Sequence, residues 1–194
     1  MKTTRVPVRA LAGALTLLAA ACATAPEPPP GPSLTYEPTL PCAPHVSVAT
    51  ATSLTPEDPT GRYDVITPVN ASSSCLVGPV GTAEGYVAYA MPMSGKPVSI
   101  SAGAIVEPGR MLAPRVFTLT ADGQVARTFP RAEMMARGNA LAVLFRPRPD
   151  ERYVVVSADA AAVAGAAGAG ETPLSPYSYE GKAFARVYFE DPAK

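Results

Sequence analysis

From about His45 onward, apolar and polar residues alternate in short runs that turn residues separate. In the run 97–102, Val98, Ile100 and Ala102 would lie on one face, and Ser99 and Ser101 on the other. A period of two is typical of a half-buried β-strand. The same reasoning predicts strands over residues 85–91, 97–102, 115–120, 125–129, 141–145, 153–157 and 182–189. This spacing predicts an all-β fold, an antiparallel β-sandwich of the jelly-roll kind.

Local signals refine this picture. The pair Asp122-Gly123 predicts a hairpin turn between two of the strands. Phe117 and Leu119 are predicted to face inward, and in the last strand Phe184, Arg186 and Tyr188 would oppose Ala185, Val187 and Phe189.

Two stretches break the alternation and predict one or two short helices. One is a helical turn within 131–137. The other lies over 159–165, with Asp159 as its N-cap. The glycines of 165–170 predict an exposed loop after it.

The N-terminus has the pattern of a secretory signal. Three basic residues, Lys2, Arg5 and Arg9, precede an apolar run over 10–21 that ends at Cys22. About a dozen apolar residues are too few for a span of roughly 20. The segment resembles the lipobox of bacterial lipoprotein precursors, which are cut before the cysteine and acylated on it, although Leu is commoner at the position of Ala19. An ordinary signal peptide or an uncleaved anchor is the alternative.

The resemblance implies a lipid-modified Cys22, with palmitate among its acyl chains, as the attachment to a membrane. Asp after the cysteine would favour the inner membrane, and this chain has Ala23 there. We therefore expect the periplasmic face of the outer membrane.

Prolines dominate the segment that follows the cysteine. They favour extended polyproline II over residues 23–44, a tether that would reach roughly 70 Å at about 3.1 Å per residue. The predicted organisation is a cleaved signal over 1–21, an acylated cysteine with a proline-rich linker over 22–44, and one β-sandwich domain over 45–194.

Charge excludes one class of partner. The chain has 16 basic and 16 acidic residues, and loss of the signal removes three basic ones. The mature chain is therefore weakly acidic, whereas nucleic-acid binding needs a basic surface. We predict no nucleic-acid partner.

Two cysteines remain beyond Cys22. Cys42 and Cys75 form an even pair in a compartment that oxidises thiols, which predicts a disulfide, with two separate buried thiols as the alternative. Two cysteines and one histidine make a poor ligand set, so no metal site and no cofactor are predicted.

Catalytic patterns are weak. His45 is the only histidine, and the serines 72–74 lack the glycines of a nucleophile elbow. Glu57, Asp58 and Asp64 share one loop, but their spacing matches no calcium loop. We predict that the protein is not an enzyme.

Tyrosines are the better candidates for binding. Tyr177 and Tyr179 lie in a proline-containing segment before the last strand, where their rings could stack on a sugar. Packing on the edge of the sandwich is the alternative, since tyrosine often has that role.

The last hundred residues carry a family resemblance. The segments 88–92, 97–101, 112–119 with 122–124, and 152–157 resemble, in the same order, the C-terminal domain of the maltose operon periplasmic protein family. The resemblance implies a periplasmic β-rich protein associated with maltodextrin uptake, and the family has no established catalytic residues to carry over to this chain. The strand order is also similar to that of small jelly-roll domains appended to secreted bacterial peptidases.

Together these observations predict an outer-membrane lipoprotein that acts as a non-enzymatic accessory or binding protein, with carbohydrate transport as the expected setting. The alternative is a structural or assembly β-sandwich that binds another envelope protein.

Overall fold

The computed structural model describes residues 27–57, 61–78, 81–93, 97–165 and 174–189. The predicted signal, the predicted lipid site at Cys22 and most of the predicted loop over 165–170 lie outside these residues.

Thirteen strands and two short helical segments form the described part of the chain. In order, the strands are β1 Thr52–Ser53, β2 Arg62–Val69, β3 Cys75–Val77, β4 Ala83–Ala90, β5 Pro97–Glu107, β6 Arg110–Leu112, β7 Pro114–Leu119, β8 Val125–Phe129, β9 Met135–Arg137, β10 Ala140–Phe145, β11 Tyr153–Ala158, β12 Tyr177–Ser178 and β13 Gly181–Phe189. A 3-10 turn over Arg131–Glu133 and a single helix, α1 (Ala160–Val163), complete the set.

The strands form two sheets. The first has the order β1-β4-β11-β7-β8, and β3 pairs with the same edge of β4 as β1 does. The second has the order β2-β13-β5-β10-β9, and β6 and β12 extend it beside the end of β5. Pairing is antiparallel except in two short ladders, β1 with β4 and β6 with β12. The predicted all-β sandwich is confirmed.

The main core fills the space between the two sheets. Alternate residues of each strand point into it because successive side chains of a strand lie on opposite faces. Ile100 and Ala102 of β5 meet Val154 and Val156 of β11 there, and all four are buried. Three further residues of β13 join them, namely Ala183, Ala185 and Val187.

Phe117 and Leu119 are buried, but not between the sheets as predicted. They belong to a second cluster on the outer face of the first sheet, and Val116 and Thr118 take the inward positions of β7. Val46 and Val48 cover this outer face. The alternation therefore gave the right spacing for β7, but both of its faces are buried.

The short elements follow their local signals. The carboxylate of Asp159 accepts a hydrogen bond from the N–H of Ala162, which confirms the predicted N-cap of α1. The helical turn predicted within 131–137 covers only Arg131–Glu133, because Met135–Arg137 pairs with β10 as a strand. Gly123 has φ +82° in the predicted hairpin turn, a conformation that glycine adopts without strain.

Much of the segment predicted as a tether lies against the sandwich. Residues 33–51, which we call the strap, run along β12 and then across the first sheet. The N–H of Ser33 donates to the side-chain Oγ of Ser178, and the carbonyl of Ser33 accepts from the N–H of Tyr179. Further along, Ala43 N–H donates to the carbonyl of Cys75. Of the residues predicted as a tether, 27–32 are described before the strap, and all of them are exposed.

Candidate functional site

A cleft of about 330 Å³ opens on the outer face of the first sheet, between the strap and the β7–β8 hairpin. This volume falls within the range of small-ligand sites, roughly 300–1,000 Å³. The cleft is lined by Pro44, His45, Val46, Leu76, Val77, Gly78, Arg115, Phe117, Leu119, Gly123, Gln124, Val125 and Thr128.

The floor of the cleft is apolar. Phe117 and Leu119 share one face of β7 because they are two residues apart, and Val116 lies on the opposite face, in the core between the sheets. Leu76 of β3 lies in the same outer cluster as Phe117 and Leu119. The strap forms one wall with His45 and Val46. A ligand in the cleft would therefore contact both the sheet and the segment that leads toward the N-terminus.

A disulfide holds this wall in place. Cys42 and Cys75 are bonded, with their Cα atoms 4.7 Å apart, which confirms the predicted pair. The bridge joins the strap to the start of β3. Ala43 then forms a parallel bridge with Leu76. The backbone two residues before His45 is therefore held against β3, which positions His45 in the wall of the cleft.

The polar groups of the cleft are neutral or cationic. Arg115, Gln124, Thr128 and His45 contribute hydrogen-bonding side chains, and no carboxylate occurs among its described lining residues. Such a set suits neutral polar or acidic groups on a ligand, combined with an apolar part that rests on the floor.

Arg115 is held by a buried acid. Its Nη2 donates to Oε2 of Glu84, whose side chain is only 2 % exposed, and its Nε donates to Ser157 Oγ at 3.2 Å. The guanidinium also lies 5.8 Å from the centre of the Phe117 ring. Gly78 leaves room for the acid, since a Cβ there would lie 2.7 Å from the carboxyl carbon of Glu84. Arg115 therefore has a fixed orientation at the end of the cleft.

The electrostatics of Glu84 reflect its burial. Removal from water raises the pKa of its carboxyl above the ordinary value, while the charge of Arg115 and a hydrogen bond from the Ala160 backbone oppose that rise. The pair therefore resembles a structural brace between β4 and β7.

A second buried acid has the same arrangement. Glu151 accepts hydrogen bonds from Thr118 Oγ1, from both Nε and Nη2 of Arg127, and from the N–H of Arg148. Arg127 also lies over the rings of Phe129 and Phe145, at 4.5 and 4.9 Å from their centres. The end of β8 is thereby fixed to the loop between β10 and β11.

The predicted sugar-binding tyrosines lie away from the cleft, beside the strap. The ring of Tyr179 stacks on Tyr36 with 6.0 Å between the ring centres, and the guanidinium of Arg131 lies 4.5 Å from the centre of Tyr177. Both tyrosines are half-buried. Sugar binding through this pair stays a prediction, and each ring already has a partner on one face.

The remaining candidates are placed as follows. Ser73 and Ser74 line a smaller hollow of about 190 Å³ together with Thr50, Thr52 and Thr67. Asp64 pairs with Arg186 at 2.6 Å instead of joining an acidic loop. Among the described residues, no three His, Cys, Asp or Glu side chains lie close enough together to hold a metal ion.

Arg115, Glu84 and Gln124 are absent from the sequence-based candidates. The only signal for the first two was opposite charge near the start of two predicted strands. The strand register decides that they meet, because β4 and β7 both pair with β11.

Comparison of the chain with protein-family models, with curated proteins and with solved structures finds no match. In the parts of the chain that the structure describes, no helix has the length and apolar character needed to cross a bilayer.

Proposed function

We propose that this protein is a non-enzymatic binding protein that an N-terminal lipid on Cys22 holds at the periplasmic face of the outer membrane. The lipobox and Ala23 support the anchor and its destination. The Cys42–Cys75 disulfide supports the compartment, since disulfides persist in the periplasm and are rare in the cytosol. The proline-rich residues before the strap would separate the domain from the bilayer.

The observation that carries the binding role is the cleft. It combines an apolar floor with a few convergent hydrogen-bonding groups, which is the usual composition of a ligand site. The two buried glutamates support a non-enzymatic role, because each is held in an ion pair with an arginine.

The first ligand class to test is an oligosaccharide, in keeping with a role in carbohydrate uptake. Sugars offer neutral hydroxyls to groups such as Gln124 and Thr128, and apolar ring faces to Phe117. Binding near 1 mM, about −4 kcal/mol, would suffice for an accessory protein.

The test is an NMR titration of the mature chain, with Cys22→Ser to remove the lipid, using maltotriose and maltoheptaose. Saturable shift changes at His45 and Gln124 would identify the cleft, and changes at Tyr177 and Tyr179 would identify the predicted aromatic pair. Gln124→Ala should weaken binding at the cleft. Asp122→Asn, in the same turn but outside the lining, is its matched control. No shift change at roughly millimolar sugar and above would contradict the carbohydrate role.

The anchor has its own test. Cys22→Ala should leave an unprocessed precursor, and globomycin, which blocks lipoprotein processing, should do the same to the native chain. A freely soluble mature protein released from the Cys22→Ala variant would contradict lipidation.

A second candidate function is supported by the edge of the first sheet. Strand β8 is the last strand of that sheet and borders the cleft. An assembly protein that binds another envelope protein would use such an edge, because it can pair with an incoming strand.

A further inference from the structure

We propose that β8 binds an extended, acidic segment of another envelope protein by strand addition, and that alternate side chains of this segment enter the cleft. The proposal deepens the second candidate function and rests on it. It does not require carbohydrate binding.

One edge of β8 has no neighbouring strand among the residues that the structure describes. In the described sheet β8 pairs only with β7, through Val116 with Phe129 and Thr118 with Arg127. The carbonyl of Leu119 accepts from Arg152 N–H on the side of β11. Since successive residues of a strand point their backbone groups to opposite sides, those of Val116 and Thr118 point to β8.

It follows which groups of β8 are available. The backbone groups of Arg127 and Phe129 face β7, and the N–H and C=O groups of Thr128 between them point outward. Ala126 lies at a β-bulge, because Leu119 is opposite Val125 and leaves Ala126 without a partner in the ladder. The side chain of Val125, at the start of the strand, is exposed over 60 % of its surface. An incoming strand would recover these backbone hydrogen bonds and cover Val125.

The edge and the cleft are parts of one surface. Val125 and Thr128 line the cleft beside Phe117, which pairs with Thr128 across the ladder. A strand added about 4.8 Å from β8 would direct every second side chain to the face that carries the cleft. Main-chain pairing and side-chain insertion would then occur together.

The charge around β8 favours an acidic segment. Arg146 and Arg148 are exposed on the loop after β10, and their guanidinium groups have no acidic partner among the described residues. The loop is tied to β8, because Arg127 Nη2 donates to the carbonyl of Arg146. Asp150, which is exposed on the same loop, offsets one of these charges.

The same charge disfavours a second copy of this chain as the occupant. Two β8 strands paired edge to edge would bring two sets of arginines, Arg146 and Arg148 of each copy, toward each other. A partner with alternating apolar and acidic residues avoids this repulsion, since its carboxylates would face the arginines.

The experiment uses defined peptides and the mature chain with Cys22→Ser. The probe is a capped peptide in which Val and Glu alternate, titrated while the amide signals of β8 are followed by NMR. One control peptide carries N-methyl groups on alternate amides, so that it cannot pair with a strand. Another has Lys in place of Glu.

We expect saturable shift changes at Thr128, whose backbone groups point to the open edge, with the acidic peptide, and none with either control peptide. The double variant Arg146→Glu with Arg148→Glu should weaken binding about tenfold or more. Arg137→Glu, at another exposed arginine on β9, is its matched control and should leave the affinity unchanged.

Three results would overturn the proposal. They are no shift change up to about 1 mM peptide, equal binding of the N-methylated peptide, and sedimentation of the chain as a dimer that the Arg146→Glu, Arg148→Glu variant strengthens. The maltodextrin titration is independent of all three, so failure of strand addition and failure of carbohydrate binding are distinguished.

Discussion

The outer faces of the two sheets differ in how they are buried. The first sheet has a complete second cluster outside, in which Tyr86, Phe117 and Val155 lie under Val46 and Val48 of the strap. The second sheet has only a small outer cluster of Phe184 with Ala140, Ala142 and Ile105. The outer face of the first sheet is covered by the strap, and the outer face of the second sheet has no such covering segment among the described residues.

The uncovered face relies on one ring and several small residues. A row of partners crosses the second sheet from Ile66 through Phe184, Gly103 and Ala142 to Met135. Phe184 is only 2 % exposed, and the Arg186 guanidinium lies 5.6 Å from its ring centre. An aromatic ring beside a strand glycine protects a backbone that would otherwise be exposed.

The difference shows what a non-sheet segment contributes. A ring that covers small residues seals a face but leaves no cavity. A strap held by a disulfide near its middle covers a face incompletely, and the uncovered remainder is the cleft. The candidate site therefore exists because the strap ends before the β7–β8 hairpin.

The largest effect is expected at the charge pair beneath the covered face. Arg115→Met leaves Glu84 buried without its partner, which should lower the free energy of unfolding by about 3–5 kcal/mol. Burial already raises the pKa of Glu84 above 4.5, so the folded state binds this proton more tightly than the unfolded state. Stability from this group therefore falls as pH rises through the folded pKa, and the loss should be greater at high pH.

Urea unfolding of the wild type and of Arg115→Met, near neutral pH and in mild acid, measures how this loss in the free energy of unfolding depends on pH. Addition of Glu84→Gln to the same variant should recover part of the loss, because the unpaired charge is gone. An equal loss at both pH values would show that lost packing of Arg115, and not the charge of Glu84, is responsible.

Removal of the disulfide should have the next largest effect. Cys42→Ala with Cys75→Ala should cost about 4 kcal/mol, since the bridge spans a sequence separation of 33 residues. Hydrogen exchange should increase at residues 43–51, while the amides of β5 and β13 stay protected. Uniform loss of protection over both sheets would mean that the strap is not a separate unit. A urea titration of the reduced wild type is the control.

On the uncovered face, Phe184→Ala should cost about 3 kcal/mol, because the ring is buried beside residues that cannot replace it. Phe184→Leu keeps most of the volume and should cost less. Thermal unfolding of both variants measures the difference. A loss below about 1 kcal/mol for the alanine variant would indicate that the ring contributes little despite its burial.

The smallest effect is expected at Ile66, which lies beside Phe184 in the same row but is 56 % exposed. Ile66→Thr should change the free energy of unfolding by no more than about 0.5 kcal/mol. The same thermal unfolding experiment provides the value. A larger loss would show that the side chain of Ile66 is covered on the outer face of the second sheet.

The strands with regular alternation could be predicted from local sequence, and so could the turn and helix cap beside them. β8 has the predicted bounds, Val125–Phe129, and Asp159 caps α1 as its side chain chemistry suggests. The Cys42–Cys75 bond followed from pairing the two remaining cysteines. In each case the decisive interaction lies within a few residues, or the number of alternatives is very small.

β2 shows where local reasoning failed. No strand was delimited over Arg62–Val69, since Pro68 interrupts its pattern. Proline is tolerated there because β2, which pairs only with β13 among the described strands, lies at the edge of its sheet, and the sheet order decides this. Strands of two or three residues, such as β6 and β12, likewise exist only because a partner from elsewhere in the chain is in place.

The sequence by itself determined the periodic strands, the turns between them and the disulfide, because alternation, backbone conformation and cysteine pairing are local or nearly unique choices. Only the tertiary structure decided that Ser33 pairs with a residue 145 positions away, so that a predicted tether became a strap. It also decided that Glu84 and Arg115, 31 positions apart, meet beneath a cleft. Contacts at such separations depend on the order and register of the strands, and no single segment contains that information.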